Sequence, residues 1–592
     1  MTLKEHGSFS VLCVMAVWLS ALTASMSLHF VLVPLLLKDT GYSSTFSPVV
    51  VQHADAVFNH IPVVSKLRGG LPAWGDQFVD LGSRPTLDVW PRLPYYVLAL
   101  PAWAVAARLE ALALVAVVLF TPLNAALLYR FIFRLVRSGW VAVVGTTIVL
   151  GFSELFVLQP WHWIRAGQDM LATPIFFNAL VNPQLSFMLL CAALLGLLSL
   201  LTDPKPHTLI VNGFVFGLSF YTYSFLWTYL VVLYCVHGAF LLARRRFAAL
   251  RALAWVVALG MVIAIPYLTG VLQFRLEPGF VDFQDRFALG RRPGVAERVA
   301  HLRPHLLTVV GLAVALAERK RRYTFLFLSV LTVEIVWKLP VIIGYDFQTL
   351  HYAYFAYAPL AGIVLILAIN YLLQGRRYSR ALGPAVVVGL TLGALGLIAY
   401  RSTAYSIKHY MAFAIPEGVQ QAYDYIRTHA APGTIILAAD PEVNMRVRSV
   451  APVYVYVPSG WGTIVSTDEM LTRATEAWHV FGIEPDDAFE YDLFSTRFPV
   501  APNYKLVSPE TYLFAMSLQF PSPERRRAAI QEAYRYRAAG HLTYQADVIW
   551  VGAYERALGR PSFESLPGVV EILRNDEVSL YRVNQHATLS WR

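Results

Sequence analysis

A short polar stretch that follows the first apolar segment carries side chains suited to acid–base chemistry. In a helix, Gln52, Asp55 and Asn59 lie at i, i+3 and i+7, which places a carboxylate between two amides on one face. His53 and His60 lie seven residues apart on the neighbouring face. Such a carboxylate can accept a proton from a hydroxyl group. We therefore interpret Asp55 as the candidate catalytic residue, and His53 and His60 as candidate substrate-binding residues.

Each of these side chains also has a structural interpretation. Asp55 could cap a helix or carry a solvated loop charge, and the two histidines could simply support their neighbours. Pro62 is expected to end or kink the helix that carries them. Gly69 and Gly70 then predict a turn.

The composition indicates the class of protein that must position these residues. Hydrophobic residues make up 57% of the 592 residues and charged residues only 15%, whereas soluble proteins carry about a quarter charged residues. Apolar runs of about twenty residues recur as far as Tyr400, and each can cross a hydrocarbon core of roughly 30 Å. The sequence predicts a polytopic α-helical membrane protein with eleven crossings, near 9–37, 111–129, 139–158, 175–201, 208–222, 224–243, 252–274, 304–317, 323–343, 352–373 and 381–400.

The net charge of +10 belongs to the topology of the chain rather than to nucleic-acid binding, because the basic residues concentrate in alternate short connections. The connections rich in Lys and Arg are predicted to be cytoplasmic, together with the N-terminus. We expect a multi-pass protein of the plasma (inner) membrane, with the Asp55 stretch and everything after Tyr400 outside the cytoplasm. The first apolar run is too long for a cleaved signal peptide and is predicted to remain as a helix.

The apolar segment Leu93–Ala107 is too short to be counted as a crossing. If it crossed, the clusters of basic residues would lie outside the cytoplasm. We therefore predict a helix in the outer interface, with Tyr95, Tyr96 and Trp103 at headgroup depth.

Two domains are predicted. Residues 1–400 form the membrane domain, which includes a long first outer loop at 38–110, and residues 401–592 form an extracytoplasmic α/β domain. In the second domain, helices alternate with short apolar strands, a pattern typical of α/β folds. Its last two strands, Val569–Leu573 and Val578–Val583, predict a hairpin.

Further polar groups lie at the expected outer ends of the crossings, where charge at membrane depth often marks a site. Within the membrane domain these candidate substrate-binding residues are Glu154, His162, Arg165, Asp169, Lys338, Asp346, Gln348 and His351. Arg165 and Asp169 could instead be a helix ion pair, and Lys338 could extend towards the interface. Aromatic residues nearby could stack on sugars or belong to the interface belt: Tyr221, Tyr223, Trp227, Tyr352, Tyr354 and Tyr357. No spacing predicts a metal ligand set, and the need for a divalent cation stays open.

This arrangement resembles the GT-C superfamily of membrane glycosyltransferases. The resemblance comes from Asp55 soon after the first crossing, the Leu93–Ala107 helix, Gln348 and His351 in a late outer loop, and the terminal VSLYRV strand. It implies sugar transfer from a polyprenyl-phosphate-linked donor to a lipid, glycan or protein acceptor, with Asp55 as catalytic base. It also implies that basic residues, here Arg165 and Lys338, hold the lipid phosphate. No adjacent acidic pair and no Trp-Trp-Asp signature is present.

Two other function classes fit the same composition. A transporter or flippase of a lipid-linked or anionic substrate would also keep polar groups within the membrane, although transporters usually show repeated halves. No such repeat is found in this sequence. A membrane scaffold whose outer domain binds cell-wall material is the third possibility.

Overall fold

The fold is described from a computed structural model. It describes residues 3–43, 60–72, 75–81, 92–104, 109–153, 175, 177, 184–202, 204–277, 279–289, 291–292, 294–295, 305–318, 321–345, 348, 350–374, 383–491, 508–537, 540–559, 563–564, 566–584 and 589–591.

Helices dominate as far as residue 409, because an apolar chain in lipid must satisfy its backbone hydrogen bonds internally. In the described residues they are α1 (Leu3–Leu37), α2 (Ile61–Arg68), α3 (Leu93–Ala104), α4 (Leu112–Val136), α5 (Gly139–Phe152), α6 (Gln184–Thr202), α7 (Pro206–Phe220), α8 (Ser224–Ala243), α9 (Phe247–Phe274), α10 (Phe280–Arg286), α11 (Leu306–Glu318), α12 (Arg321–Ile343), α13 (Ala358–Gln374) and α14 (Gly383–His409). A short helical turn, Leu350–Tyr352, and a π-helical turn, Ala353–Tyr357, precede α13.

Seven of the described helices are long and apolar enough to cross a membrane, namely α1, α4, α6, α8, α9, α12 and α14. The four shorter apolar helices α5, α7, α11 and α13 lie where the sequence predicts the other crossings. The predicted class, a polytopic helical membrane protein, is confirmed. Because those four helices are shorter than a full span, the number eleven stays a prediction.

Glycines allow α7 and α9 to pack closely. A Cβ at Gly217 would lie 2.6 Å from Cβ of Ile263, and one at Gly213 would lie 2.6 Å from Cδ2 of Leu259. Gly213 and Gly217 are four residues apart and therefore share one face of α7. Larger residues there would push the two helices apart.

The helix predicted at Leu93–Ala107 is present as α3. The backbone N–H of Leu93 donates to the carbonyl of Tyr221, 2.9 Å away, in the turn between α7 and α8. Tyr96 is 45% exposed, but Tyr95 is buried. The ring of Tyr95 lies against His60, and its hydroxyl is 3.3 Å from Nδ1 of His60, so this side chain packs inside the protein. Its position at headgroup depth stays a prediction.

The C-terminal domain contains a five-stranded mixed sheet, so the predicted α/β class is confirmed. One strand, β1 (Tyr42–Ser43), belongs to the membrane part. The other described strands are β2 (Ile415–Pro416), β3 (Ile435–Leu437), β4 (Tyr454–Val455), β5 (Gly540–His541), β6 (Val548–Val551), β7 (Val569–Arg574), β8 (Ser579–Val583) and β9 (Ser590–Trp591). The sheet order is β4-β3-β6-β8-β7, in which β3 is parallel to β4 and β6. β7 and β8 form the predicted antiparallel hairpin. The division at residue 400 stays a prediction.

Helices cover this sheet. They are α15 (Glu417–His429), α16 (Pro441–Val450), α17 (Thr467–Phe481), α18 (Pro485–Glu490), α19 (Pro509–Phe514), α20 (Pro523–Tyr536) and α21 (Ala553–Leu558). Ser466, Ser508 and Ser522 cap α17, α19 and α20 by accepting a backbone N–H with their hydroxyl groups.

Asp76 fixes the connection after α2 to the C-terminal domain. Its Oδ1 accepts from the N–H groups of Phe78 and Val79, at 2.7 and 3.0 Å. Its Oδ2 accepts from Thr463 Oγ1 at 2.7 Å and from the N–H of Ile464 at 2.6 Å. We call this four-donor arrangement the Asp76 clasp. We call the end of the helix bundle that faces the C-terminal domain the domain side.

A second contact attaches α10 to the same part of the domain. The buried guanidinium of Arg286 donates to Thr467 Oγ1 at 3.1 Å and to the carbonyls of Thr463 and Val465 at 3.0 and 2.8 Å. Burial lowers the pKa of Arg286 to about 10, so the group stays protonated at neutral pH. Asp282 accepts the N–H of Thr467 at 3.0 Å. Two connections of the membrane part therefore meet on one segment of the C-terminal domain.

The Asp76 clasp predicts a measurable loss of stability in Asp76→Ala. The substitution leaves four donors without their acceptor, and each buried unpaired donor costs about 1–3 kcal/mol. We expect a lower unfolding temperature in lipid nanodiscs and faster proteolysis between residues 69 and 81. Asp80→Ala, which changes an exposed acid of the same segment, is the control. Equal unfolding temperatures for the two variants would contradict the role of the clasp.

Candidate active site at the domain side

Seven of the predicted site residues lie outside the described residues. They are His53, Asp55, Glu154, His162, Arg165, Asp169 and Asp346. The structure describes the other four, His60, Lys338, Gln348 and His351, and Gln348 and His351 belong to a loop that contacts the domain side through Phe287. The following paragraphs build the site from these four.

His60 immediately precedes α2. Its Nδ1 lies 3.3 Å from the hydroxyl of Tyr95 on α3. Pro62 lies in the first turn of α2, whereas the helix that it is expected to end or kink lies outside the described residues. Proline fits this first turn because its missing N–H would have no partner within the helix. The α2–α3 contact thus fixes the end of the chain segment that carries Asp55.

His351 lies among aromatic residues of α8 and the turn before it. Its Nδ1 lies 2.6 Å from the hydroxyl of Tyr223, and its ring stacks on Phe225 at 4.3 Å with an interplanar angle of 8°. The hydroxyl of Tyr352 lies 2.5 Å from Oγ1 of Thr228. Two of the aromatic residues noted in the sequence, Tyr223 and Tyr352, therefore hold the late loop against α8.

The contact of His60 with Tyr95 and that of His351 with Tyr223 are connected through the turn between α7 and α8. The backbone bond from Leu93 to Tyr221 attaches α3, with Tyr95 and His60, to the turn that also carries Tyr223. His60 and His351 therefore share a continuous set of contacts, although neither touches the other in the described structure. The sequence placed them in separate loops.

Gln348 connects the same late loop to α10. Its backbone has a φ of +60°, a conformation that L-residues rarely adopt, and its Nε2 donates to the carbonyl of Phe287 at 3.0 Å. Phe287 directly follows Arg286, which binds the C-terminal domain. The loop with Gln348 and His351 thus lies between the helix bundle and the C-terminal domain.

Lys338 is bound to a carboxylate that the sequence interpretation missed. Its Nζ lies 2.6 Å from Oε2 of Glu334, four residues earlier in α12. Oε1 of Glu334 accepts from Nδ1 and the backbone N–H of His305, at 2.8 and 2.9 Å, and from Thr308 Oγ1 at 2.6 Å. The i, i+4 spacing of Glu334 and Lys338 within an apolar run was the available signal. His305 directly precedes α11 and Thr308 lies on it, so spacing alone could not pair either residue with Glu334.

The described residues hold no cluster of three or more His, Cys, Asp or Glu side chains that could bind a metal ion. The described part of the site is instead made of imidazole, phenol, amide and ammonium groups. Such groups bind hydroxyls and phosphates, and they can position a substrate for acid–base chemistry.

Fold and site together define an integral membrane protein with polar groups gathered at one end of its helix bundle, beneath a C-terminal α/β domain. No protein-family model and no curated protein matches the sequence.

Among solved structures, the chain is similar to ArnT from Cupriavidus metallidurans bound to undecaprenyl phosphate, with a TM-score of 0.45, 11% identity and coverage of 94% of this chain and 98% of that one. It is also similar to the apo oligosaccharyltransferase of Archaeoglobus fulgidus, with a TM-score of 0.43, 12% identity and coverage of 97% and 74%. The oligosaccharyltransferase AglB from Archaeoglobus fulgidus, in complex with an inhibitory peptide and a dolichol-phosphate, aligns at a TM-score of 0.41 with 12% identity and coverage of 96% and 74%.

The Glu334–Lys338 pair predicts strong coupling in a double-mutant cycle. Removing one member of a buried ion pair costs about 3–5 kcal/mol, whereas replacing both by apolar residues of similar size costs far less. We expect Glu334→Leu to lower the unfolding temperature in nanodiscs more than the double variant Glu334→Leu/Lys338→Met does. Additive effects of Glu334→Leu and Lys338→Met would show that the two side chains act independently.

Proposed function

We propose that the protein is a membrane glycosyltransferase of the GT-C type. It transfers a sugar from a polyprenyl-phosphate-linked donor to a lipid, glycan or protein acceptor. The observation that supports this proposal is that His60 and His351, which are far apart in the sequence, are joined by contacts through Tyr95 and the turn that carries Tyr223. The domain side is the extracytoplasmic side in this proposal, in agreement with the distribution of basic residues.

The proposed reaction is a displacement at the anomeric carbon of the donor sugar. An acceptor hydroxyl oxygen forms the new bond to that carbon as the bond from carbon to the phosphate oxygen breaks. The hydroxyl proton goes to the carboxylate of Asp55, and the electron pair of the broken bond stays on the lipid phosphate. No oxidant, reductant or further reactant is required.

Cationic side chains stabilise the departing phosphate in this scheme. Arg165 is one proposed group, and Lys338 is the other. The ion pair with Glu334 leaves Lys338 able to take part, because an ammonium group has three N–H donors and one of them serves Glu334. Glu334 would also keep the ammonium in place before the donor binds.

The remaining candidates serve as substrate-binding groups. His60 and His351 each have Nδ1 next to a tyrosine hydroxyl, which orients the imidazole. Gln348, held by Phe287, belongs to the same loop as His351. The proposal extends the binding role to His53, Glu154, His162, Asp169 and Asp346.

The central prediction concerns Asp55→Asn. Loss of a general base lowers the rate by about 10²–10⁴-fold, so we expect transfer to fall at least about a hundredfold while expression and unfolding temperature stay unchanged. Transfer is measured as formation of the glycosylated acceptor by purified protein in nanodiscs. Asp80→Asn, an isosteric change at an exposed acid, is the control. Normal turnover by Asp55→Asn would refute the assignment.

Release of lipid phosphate separates the enzyme from a transporter. Purified protein is incubated with polyprenyl-phosphate sugars of several types and with candidate acceptors, and the free polyprenyl phosphate is measured. We expect release that depends on the acceptor and on Asp55. Movement of the lipid-linked sugar across vesicle membranes without release would instead identify a transporter or flippase.

A further inference from the structure

Arginines gather at the end of the helix bundle that lies opposite to the domain side. α9 reaches the domain side at Phe274, whose ring packs on Phe283 of α10, and α10 binds the C-terminal domain. The start of α9 and the end of α8 therefore lie at the opposite end of the bundle. Six arginines on or beside α4 and α8 belong to this end, and we call them the arginine cluster: Arg130, Arg134, Arg137, Arg244, Arg245 and Arg246.

Two members of the arginine cluster turn towards the last turn of α6. The guanidinium of Arg134 donates to the hydroxyl of Ser199, and Nη2 of Arg246 donates to the carbonyl of Leu201 at 3.0 Å. Both arginines are partly buried, whereas the other four are exposed. The carboxyl end of a helix attracts cations, which accounts for Arg134 and Arg246. It does not account for the four exposed members around them.

The charge of this cluster is not balanced by acidic side chains. Residues 111–153 and 184–274 contain a single acidic residue, Asp203, which lies outside the described residues. Within the described part of the chain, none of the six arginines is ion-paired with a carboxylate. Arg130 and Arg134 are four residues apart on α4, and like charges at this spacing destabilise a helix. An anion bound between the arginines would remove this repulsion.

Exposed apolar side chains lie directly beside the arginines. Phe133 precedes Arg134 and is 36% exposed, and Phe247 follows Arg246 and is 61% exposed. Phe133 and Phe247 belong to α4 and α9, which are long and apolar enough to cross a membrane. A ligand that contacts both kinds of side chain has an anionic head and an apolar tail. A free phosphate would use only the arginines.

We propose that the arginine cluster binds the headgroup phosphate of an anionic phospholipid. Guanidinium groups bind phosphate oxygens with pairs of N–H donors, and basic pockets between membrane helices recognise anionic headgroups. A zwitterionic phospholipid fits less well, because its headgroup brings a further cation among six arginines. This site lies at the end of the bundle away from the candidate active site. It does not depend on the proposed transfer reaction.

The test measures lipid binding to the full-length protein in detergent. Dioleoyl phosphatidylglycerol and dioleoyl phosphatidylcholine have the same acyl chains and differ in headgroup charge, and native mass spectrometry follows the titration of each. We expect phosphatidylglycerol to bind at least about tenfold more tightly. Its affinity should fall at least about tenfold in Arg134→Gln/Arg246→Gln, because charge-assisted hydrogen bonds to the phosphate are lost. Glutamine keeps an N–H donor for the end of α6.

A second variant tests the same prediction without changing the contacts of α6. Arg137→Gln/Arg245→Gln removes two exposed members of the cluster and should also weaken phosphatidylglycerol binding. The control is Arg251→Gln/Arg322→Gln, which removes the same charge from the first turns of α9 and α12. The ring of Phe325 near the start of α12 lies 5.0 Å from that of His237 in the second half of α8, so α12 begins at this end of the bundle too. The control should bind phosphatidylglycerol like the unchanged protein.

Three results would overturn the proposal. Equal affinities for the two lipids would show that headgroup charge is not recognised. Equal losses in the control and in the two cluster variants would show a diffuse attraction rather than a site. Displacement of phosphatidylglycerol by inorganic phosphate, added as a competitor, would assign the arginines to a free phosphate instead of a lipid.

Discussion

The carboxylate of Asp76 connects the two halves of this molecule. By accepting four hydrogen bonds, it joins the connection after α2 to the segment around Thr463 in the C-terminal domain. Arg286, the last residue of α10, donates hydrogen bonds to the same segment. Because both connections meet there, the loops of the candidate site are held under the C-terminal domain. Without these contacts, nothing local in either loop would give them a common position.

One ion pair of the membrane part, between Glu334 and Lys338, lies within α12 and is surrounded by further hydrogen-bond donors. Glu334 has four donors around it, including the ammonium of Lys338, so a charge at this depth is balanced by hydrogen bonds as well as by opposite charge. An isolated charge would be far more costly in such surroundings. This pairing also means that any anion bound by Lys338 shares the ammonium with Glu334. The affinity for a phosphate would then depend on residues of α11 as well as of α12.

The C-terminal domain is ordered by its own hydrogen bonds as well as by its contacts with the membrane part. Its sheet has parallel strands on one side, and after those strands the buried carboxylate of Glu555 accepts the N–H groups of Ala439, Asp440 and Gly552. The same domain pairs with β1 of the membrane part, in the register Tyr42 to Pro416 and Ser43 to Ile415. The two parts of the molecule are therefore joined by backbone pairing as well as by the bonds of Asp76 and Arg286.

The sequence by itself determined the class of fold, because helix formation in lipid depends on the length and hydrophobicity of each run. It also located most elements of the C-terminal domain, whose strands and helices follow local periodicity. It named His60, Lys338, Gln348 and His351 as polar groups near one membrane face. It did not show that Tyr95 is buried against His60, because that contact depends on a neighbouring helix.

Only the tertiary structure decided which of these groups meet. Tyr223 and His351 are 128 residues apart, and Asp76 and Thr463 are 387 residues apart. No periodicity reaches across such separations, because hydrogen-bond partners between distant segments follow from the packing of whole helices and of the sheet. For the same reason Glu334 could be linked to Lys338 from spacing alone, whereas its bonds to His305 and Thr308 required α11 to lie beside α12.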